Sequence, residues 1–174
     1  SARRPRRRAG APAPAGLADW VEAYSAVGSR APYLWGWCAR AVEITTLPCV
    51  AAHLRSHVCD TKTLGVMLDV LMDDVADGGG TDDMLRSLTR LIAEDSPGDV
   101  SRFSPEAQRY IGFAGELWSE LRRRGRQYPR HDEFAELLKQ RGVIFGLLLE
   151  QFVDLNGAAV DAHLQGPQHF DFRH

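Results

Sequence analysis

The stretch LGVMLDVLMDDVADGGGTDD, residues 64–83, combines an apolar run with aspartates at regular intervals. Asp69, Asp73 and Asp77 follow one another four positions apart, which places them on one face of an α-helix. Asp74 lies beside this carboxylate stripe, because consecutive helical residues are about 100° apart around the axis. Valine, leucine and methionine fill the positions between the aspartates, so the pattern predicts a largely buried helix that carries a row of acids.

The carboxylate stripe, Asp69, Asp73 and Asp77, requires a positively charged partner. Like charges at this spacing repel one another, and burying several carboxylates is unfavourable unless a cation neutralises them. Magnesium meets this requirement, since it takes oxygen ligands and is usually held by one or two carboxylates together with substrate phosphates. We therefore predict that Asp73 and Asp77 bind Mg²⁺ with Asp74 in support, whereas Asp69, one turn deeper, pairs with a buried base.

The same aspartates allow an interpretation without a metal. Asp74 and Asp77 could end the helix before Gly78 and face water. The helix dipole argues against this interpretation, because acidic side chains are unfavourable at a helix C-terminus. An EF-hand is a poor alternative, since its order of oxygen ligands, glycine and glutamate is not found when the sequence is read from Asp73 or Asp77.

Helical periodicity continues on both sides of the stripe, and strand-like alternation is nearly absent. The sequence predicts helices at residues 17–27, 32–43, 48–58, 61–77, 81–93, 105–124 and 131–156. Thr61 is expected to cap the fourth helix, and Thr81 the fifth, with Asp82 and Asp83 in its first turn, where the dipole favours acids. Gly157 is expected to end the last helix. The predicted fold class is therefore all-α.

The composition is that of an ordinary globular domain, with 174 residues of which 44% are apolar. No apolar run reaches the ~20 residues of a membrane span, and no secretory signal is expected. Cys38, Cys49 and Cys59 contain no CxxC pair, which favours free, mostly buried thiols in the cytoplasm. We interpret His53 and His57, one turn apart, as ordinary helix-surface histidines rather than as metal ligands with Cys59.

The basic residues are concentrated at the start of the chain. Five arginines stand at positions 3, 4, 6, 7 and 8, so the net charge of −2 leaves about −7 on the remaining residues. Such a segment could bind nucleic acid or an anionic surface. Nothing apolar accompanies the charge, and we predict a disordered Arg/Pro/Ala-rich tail over residues 1–16, a helical domain over residues 17–174 and no nucleic-acid partner.

Asp73-Asp74-Val75-Ala76-Asp77 has the form DDxxD and closes an apolar helix about seventy residues into the chain. Upstream, Tyr33-Leu34-Trp35-Gly36-Trp37 leads into Thr46-Leu47-Pro48. In these features the sequence resembles the N-terminal half of bacterial class I terpenoid synthases. The resemblance implies an all-α helical bundle and Mg²⁺ held by Asp73, Asp74 and Asp77. It also implies ionisation of a C15 or C20 isoprenoid diphosphate, with a diterpene as the expected product class.

The resemblance implies further residues downstream. The family uses an arginine to sense diphosphate, to which Arg173 corresponds by spacing, with Arg141 as a second candidate. The family's second metal motif is not found, since Glu150 and Asp154 lack its serine and asparagine pattern. A fragment of a synthase, a partner subunit without catalysis, and a chain completed by a second copy or a complementing chain all fit this partial match.

Aromatic side chains are available to line a carbocation pocket: Trp35, Trp37, Phe145 and Phe152. Each ring could contribute ~0.5–2 kcal/mol by cation–π contact, although for each one an ordinary core position is the simpler interpretation. A trans-prenyltransferase shares the metal chemistry, but Gly78-Gly79-Gly80 stands where that family carries a basic pair. The alternative function that is not enzymatic is a helical interaction module with a basic N-terminal arm.

Overall fold

The computed structural model describes residues 16–27, 33–46, 48–79 and 81–165, with side chains except at 78–79 and 152–165. Within these ranges all regular structure is helical, so the all-α prediction is confirmed. The elements in chain order are α1 (Leu17–Val27), α2 (Tyr33–Thr45), α3 (Ala52–Asp74), a π-helical segment (Val75–Gly79), α4 (Asp82–Glu94), α5 (Pro105–Gly125) and α6 (His131–Gln165). Residues 1–15 of the predicted tail lie outside the described residues.

Helix α3 is the central element of the bundle. It packs against α1, α2, α5 and α6, and this position explains why its sequence is apolar on several sides. The largest fully buried side chains come from α1 to α5: Trp20, Tyr24, Trp35, Leu64, Met67, Leu71, Met72, Leu85, Leu88, Ile92, Ile111 and Leu117. The carboxylate stripe therefore lies on the helix around which the core is built.

The predicted break between residues 58 and 61 is wrong. Helix α3 runs continuously from Ala52 to Asp74, and Thr61 lies buried in its interior instead of capping it. The Thr61 hydroxyl donates a hydrogen bond to the His57 carbonyl at 2.7 Å. A threonine hydroxyl can hydrogen-bond to a carbonyl of the preceding helical turn or cap a helix N-terminus. The residue type alone therefore does not determine where the helix begins.

The predicted end of the last helix is also wrong. Helix α6 continues to Gln165, past Gly157. A glycine inside a helix costs about 1 kcal/mol relative to alanine, which a long helix tolerates. Two predicted helix starts are confirmed: Thr81 accepts a hydrogen bond from the Met84 amide at 3.3 Å, and Ser104 accepts one from the Ala107 amide at 3.2 Å.

Helices α4 and α6 form the most extensive helix pair, and two glycines allow their close approach. A Cβ atom on Gly142 would lie 2.9 Å from Ile92 Cγ2, and one on Gly146 would lie 2.3 Å from Thr89 Oγ1. Because no side chain separates the helices at these points, α6 packs closely against α4 and also contacts α3. This packing carries Arg141 to the carboxylate stripe.

Large apolar side chains remain on the surface of two helices. Trp37 and Ile44 on α2 are 68% and 75% exposed, and Leu137 and Leu148 on α6 are 64% and 58% exposed. A few isolated apolar residues on a surface are normal, but several on one helix indicate a surface that another molecule can cover. No helix in the described part of the chain is long and apolar enough to cross a membrane.

Candidate metal and diphosphate site

The carboxylate stripe crosses a change of helix type. Asp69 and Asp73 belong to α3, whereas Asp77 belongs to the π-helical segment that follows. The Val75 amide donates to the Met72 carbonyl, three residues back. The Leu71 carbonyl, which Val75 would use in a regular α-helix, accepts a hydrogen bond from the Tyr110 hydroxyl of α5 at 2.8 Å. Tyr110 therefore supports the transition between the two helix types.

The π-helical segment was not foreseen from the sequence. A single π-helical turn at a helix is rare and is frequently found at functional sites. Here it prolongs the helix beyond Asp74 and carries Asp77 to an exposed position, while Asp73 stays half-buried. The run Gly78-Gly79-Gly80, which follows Asp77, is the signal in the sequence that the backbone departs from regular helix geometry.

Asp74 is directed to the interior of the bundle by a tyrosine of α1. The Tyr24 hydroxyl donates a hydrogen bond to Asp74 Oδ2 at 3.1 Å. Tyr24 is fully buried, and its ring packs edge-on against Trp35, with 4.6 Å between the ring centroids. This contact gives Asp74 a structural task within the bundle, in keeping with its position beside the stripe.

Asp69 pairs with a base, as predicted, and the base is Arg141 of α6. Arg141 Nη1 donates to Asp69 Oδ1 at 3.1 Å, and Arg141 Nη2 donates to Asp69 Oδ2. The hydrogen bonds to Asp69 raise the pKa of Arg141 above its ordinary value. Arg141 is 57% exposed rather than buried, while Asp69 is 19% exposed. The pair brings a guanidinium group to the stripe, one turn before Asp73.

The described residues do not contain a complete protein-made metal cage. No three histidine, cysteine, aspartate or glutamate side chains among them come together closely enough to hold a metal ion. This also applies to His53, His57 and Cys59. Magnesium is commonly held by fewer protein ligands, with water and phosphate oxygens completing its shell. Asp73, near the end of α3, and Asp77, in the π-helical segment that follows, remain the candidates for such a partial site.

The remaining predicted site residues are only partly among those that the structure describes. Arg173 and the side chains of Phe152 and Asp154 lie outside the described residues. Trp35 belongs to the core, Phe145 packs against the core, and Trp37 is exposed on α2, so the described residues do not enclose the Trp37 ring.

Other polar candidates also lie away from a common site. Asp82 and Asp83 are exposed in the first turn of α4, as predicted, and Asp83 pairs with two arginines. Cys38 and Cys59 are half-buried and Cys49 is exposed, all as free thiols.

Comparisons with known proteins identify no relative. No protein-family model matches the chain, no curated protein matches it, and no solved structure matches it.

Proposed function

We propose that this chain is a magnesium-dependent protein of the class I terpenoid synthase type, with Asp73 and Asp77 as its metal ligands. The substrate class is a C15 or C20 isoprenoid diphosphate, with a diterpene as the product class. The observation that carries the proposal is the position of these two acids, at the end of the central helix where its dipole disfavours negative charge. A bound divalent cation would neutralise the two carboxylates and so remove their unfavourable interaction with the helix dipole.

The residues around the stripe fit the binding of a metal–diphosphate pair. Bound Mg²⁺ would neutralise the charge that develops on a departing diphosphate. Asp73 and Asp77 would hold the ion, and the Arg141 guanidinium, already fixed beside the stripe by Asp69, supplies a second positive group. Tyr24 keeps Asp74 in place and thereby fixes the helix turn that carries Asp73. Leu71, Met72 and Val75, the neighbours of Asp73 and Asp74 in sequence, are buried in the core.

The proposal is tested by thermal unfolding with Mg²⁺, with inorganic diphosphate, with both, and with neither. We expect stabilisation when both are present, because each ligand completes the binding shell of the other. At concentrations about 100 times the dissociation constant this stabilisation amounts to ~2.7 kcal/mol, or roughly 5–10 °C for a chain of this size. We expect Asp73→Ala to abolish the shift.

The matched control is Asp82→Ala, which removes an exposed aspartate from the first turn of α4. It should keep the full shift with Mg²⁺ and diphosphate. Magnesium-dependent release of diphosphate from a C20 or C15 prenyl diphosphate then tests catalysis in the same variants. A shift of equal size in the wild-type chain and in Asp73→Ala would contradict the metal assignment.

A second candidate function is a helical interaction module without catalysis. The exposed apolar residues of α2 and α6, among them Trp37 and Ile144, favour it because such surfaces are typical of partner contacts. This function predicts that Mg²⁺ and diphosphate leave the unfolding temperature unchanged. A basic N-terminal arm would add binding that weakens steeply as the salt concentration rises.

A further inference from the structure

A cleft outside the carboxylate stripe is lined by three arginines. It lies between α4 and the loop of residues 95–104 and has a volume of about 350 Å³. Its walls are formed by Arg86, Ser87, Arg90, Pro97, Asp99 and Arg102. Arg86 and Arg90 are four positions apart on α4 and so share one helix face. The loop places Arg102 opposite them.

The three guanidinium groups are unequally neutralised. Arg90 makes a close ion pair with Glu94 at 2.7 Å. Arg86 and Arg102 share the single carboxylate of Asp83 at the longer distances of 3.8 Å and 3.4 Å. Each guanidinium offers five N–H donors in a planar fork. One carboxylate at these distances therefore leaves most of the donors of Arg86 and Arg102 directed to solvent or to the cleft.

The cleft loop is anchored at both ends. Asp95, at the end of α4, accepts a hydrogen bond from Trp118 Nε1 at 2.8 Å and pairs with Arg122. Toward the other end, the Arg102 guanidinium stacks over the Phe103 ring, 5.0 Å from its centroid. These contacts position Arg102 before any ligand arrives, which reduces the entropy lost on binding.

Gly98 and Asp99 of the loop lie next to the arginines of the cleft. Gly98 has a φ of +77°, and a Cβ atom there would lie 3.0 Å from Arg90 Nη1, so the arginine rests against a bare backbone. Asp99 is the acid on the cleft wall, and its Oδ1 accepts a hydrogen bond from the Ser101 amide at 2.9 Å. Hydrogen bonds from Ser101 hold the pKa of Asp99 below its ordinary value. The positive charge of Arg102 lowers this pKa further, so Asp99 is a second acid near Arg102, in addition to Asp83.

We propose that this cleft binds a compact oxyanion of the phosphate type, bridged by Arg86 and Arg102. A tetrahedral dianion has enough oxygens to accept hydrogen bonds from two guanidinium forks at once, and arginine is well suited to such recognition. The anion would displace Asp83, because surface ion pairs at such distances contribute little to stability. This site is separate from the proposed metal site and needs no Mg²⁺.

The test is a nuclear magnetic resonance titration of the full chain with inorganic phosphate, in chelator and at constant ionic strength. We expect a dissociation constant on the order of 1 mM, with shifts of the Gly98 amide and of the Arg86 and Arg102 Nε–Hε signals. Arg102→Gln should weaken the affinity about tenfold, the loss of one charged hydrogen-bond partner. Asp83→Asn should strengthen it, because the competing carboxylate is removed.

Arg130→Gln is the matched control, since Arg130 is an exposed arginine that follows the far end of α5. It should keep the wild-type affinity, and thermal unfolding without phosphate checks that each variant is folded. Absence of phosphate-induced shifts at the cleft in the wild-type chain would overturn the proposal. Equal weakening by Arg102→Gln and Arg130→Gln would overturn it as well, because it would show general charge attraction.

Discussion

Gly146→Ala is expected to destabilise the chain by about 2 kcal/mol, within the range for overpacked interiors. The new Cβ atom would lie 2.3 Å from Thr89 Oγ1, 2.9 Å from Thr89 Cγ2 and 3.0 Å from Met72 Cε. Thr89 cannot move easily, because it is buried and its hydroxyl donates to the Leu85 carbonyl at 3.1 Å. The helices must separate, and thermal unfolding should show a midpoint lower by roughly 4–8 °C.

Gly112→Ala is the matched control for this prediction. Gly112 is a helical glycine of α5, and a Cβ atom there would meet no other atom within 4 Å. Alanine is the better helix former, so this variant should gain up to about 1 kcal/mol. Thr89→Ala should restore much of the loss in Gly146→Ala, because it removes both threonine atoms that the new methyl group meets. Simple addition of the two single effects would show that the contact is not the cause.

Glu120→Gln is expected to cost about 3 kcal/mol, the low end for breaking a buried ion pair. Arg124, with 6% of its side chain exposed, donates from Nε to Glu120 Oε1 at 2.7 Å. Glutamine keeps an oxygen acceptor but leaves the buried guanidinium without its counter-charge. Urea unfolding of the variant measures the loss. The matched control is Glu133→Gln in the exposed Arg130–Glu133 pair, where a change below about 0.5 kcal/mol is expected.

The same glutamate gives the stability a defined pH dependence. The hydrogen bond from Arg123 lowers the pKa of Glu120 below its ordinary value of 4.5. A carboxyl group with a lowered pKa in the folded state stabilises fully above its unfolded pKa and loses that contribution as pH falls through the folded pKa. Wild-type stability should therefore fall below about pH 4.5 more steeply than that of Glu120→Gln. Parallel pH profiles would contradict this assignment.

The sequence predicted the helical class and most helix boundaries because these depend on local patterns. Thr81 and Ser104 cap helices as their residue types indicate, and Pro105 stands at a helix start. Thr61 misled the prediction, since the same side chain can cap a helix or bond within one. Which alternative prevails depends on the packing of α3 among four other helices, and that packing is not encoded locally.

The candidate site was predicted in part. The spacing of the aspartates indicated a shared stripe, and the pairing of Asp69 with a base followed from the burial of its helix. The identity of that base, Arg141, could not be read from the sequence, because 72 positions separate the pair. The same limit applies to the partners of Asp74 and Leu71, since Tyr24 and Tyr110 reach them from α1 and α5.

The central claim is that Asp73 and Asp77 bind a divalent cation together with a diphosphate. Electron paramagnetic resonance of Mn²⁺ as a magnesium substitute measures this binding directly, because the free-ion signal decreases when the metal is bound. With inorganic diphosphate present, the wild-type chain should reduce the free Mn²⁺ signal beyond the effect of diphosphate alone, and the double variant Asp73→Asn, Asp77→Asn should not. An equal reduction by both proteins would contradict the claim.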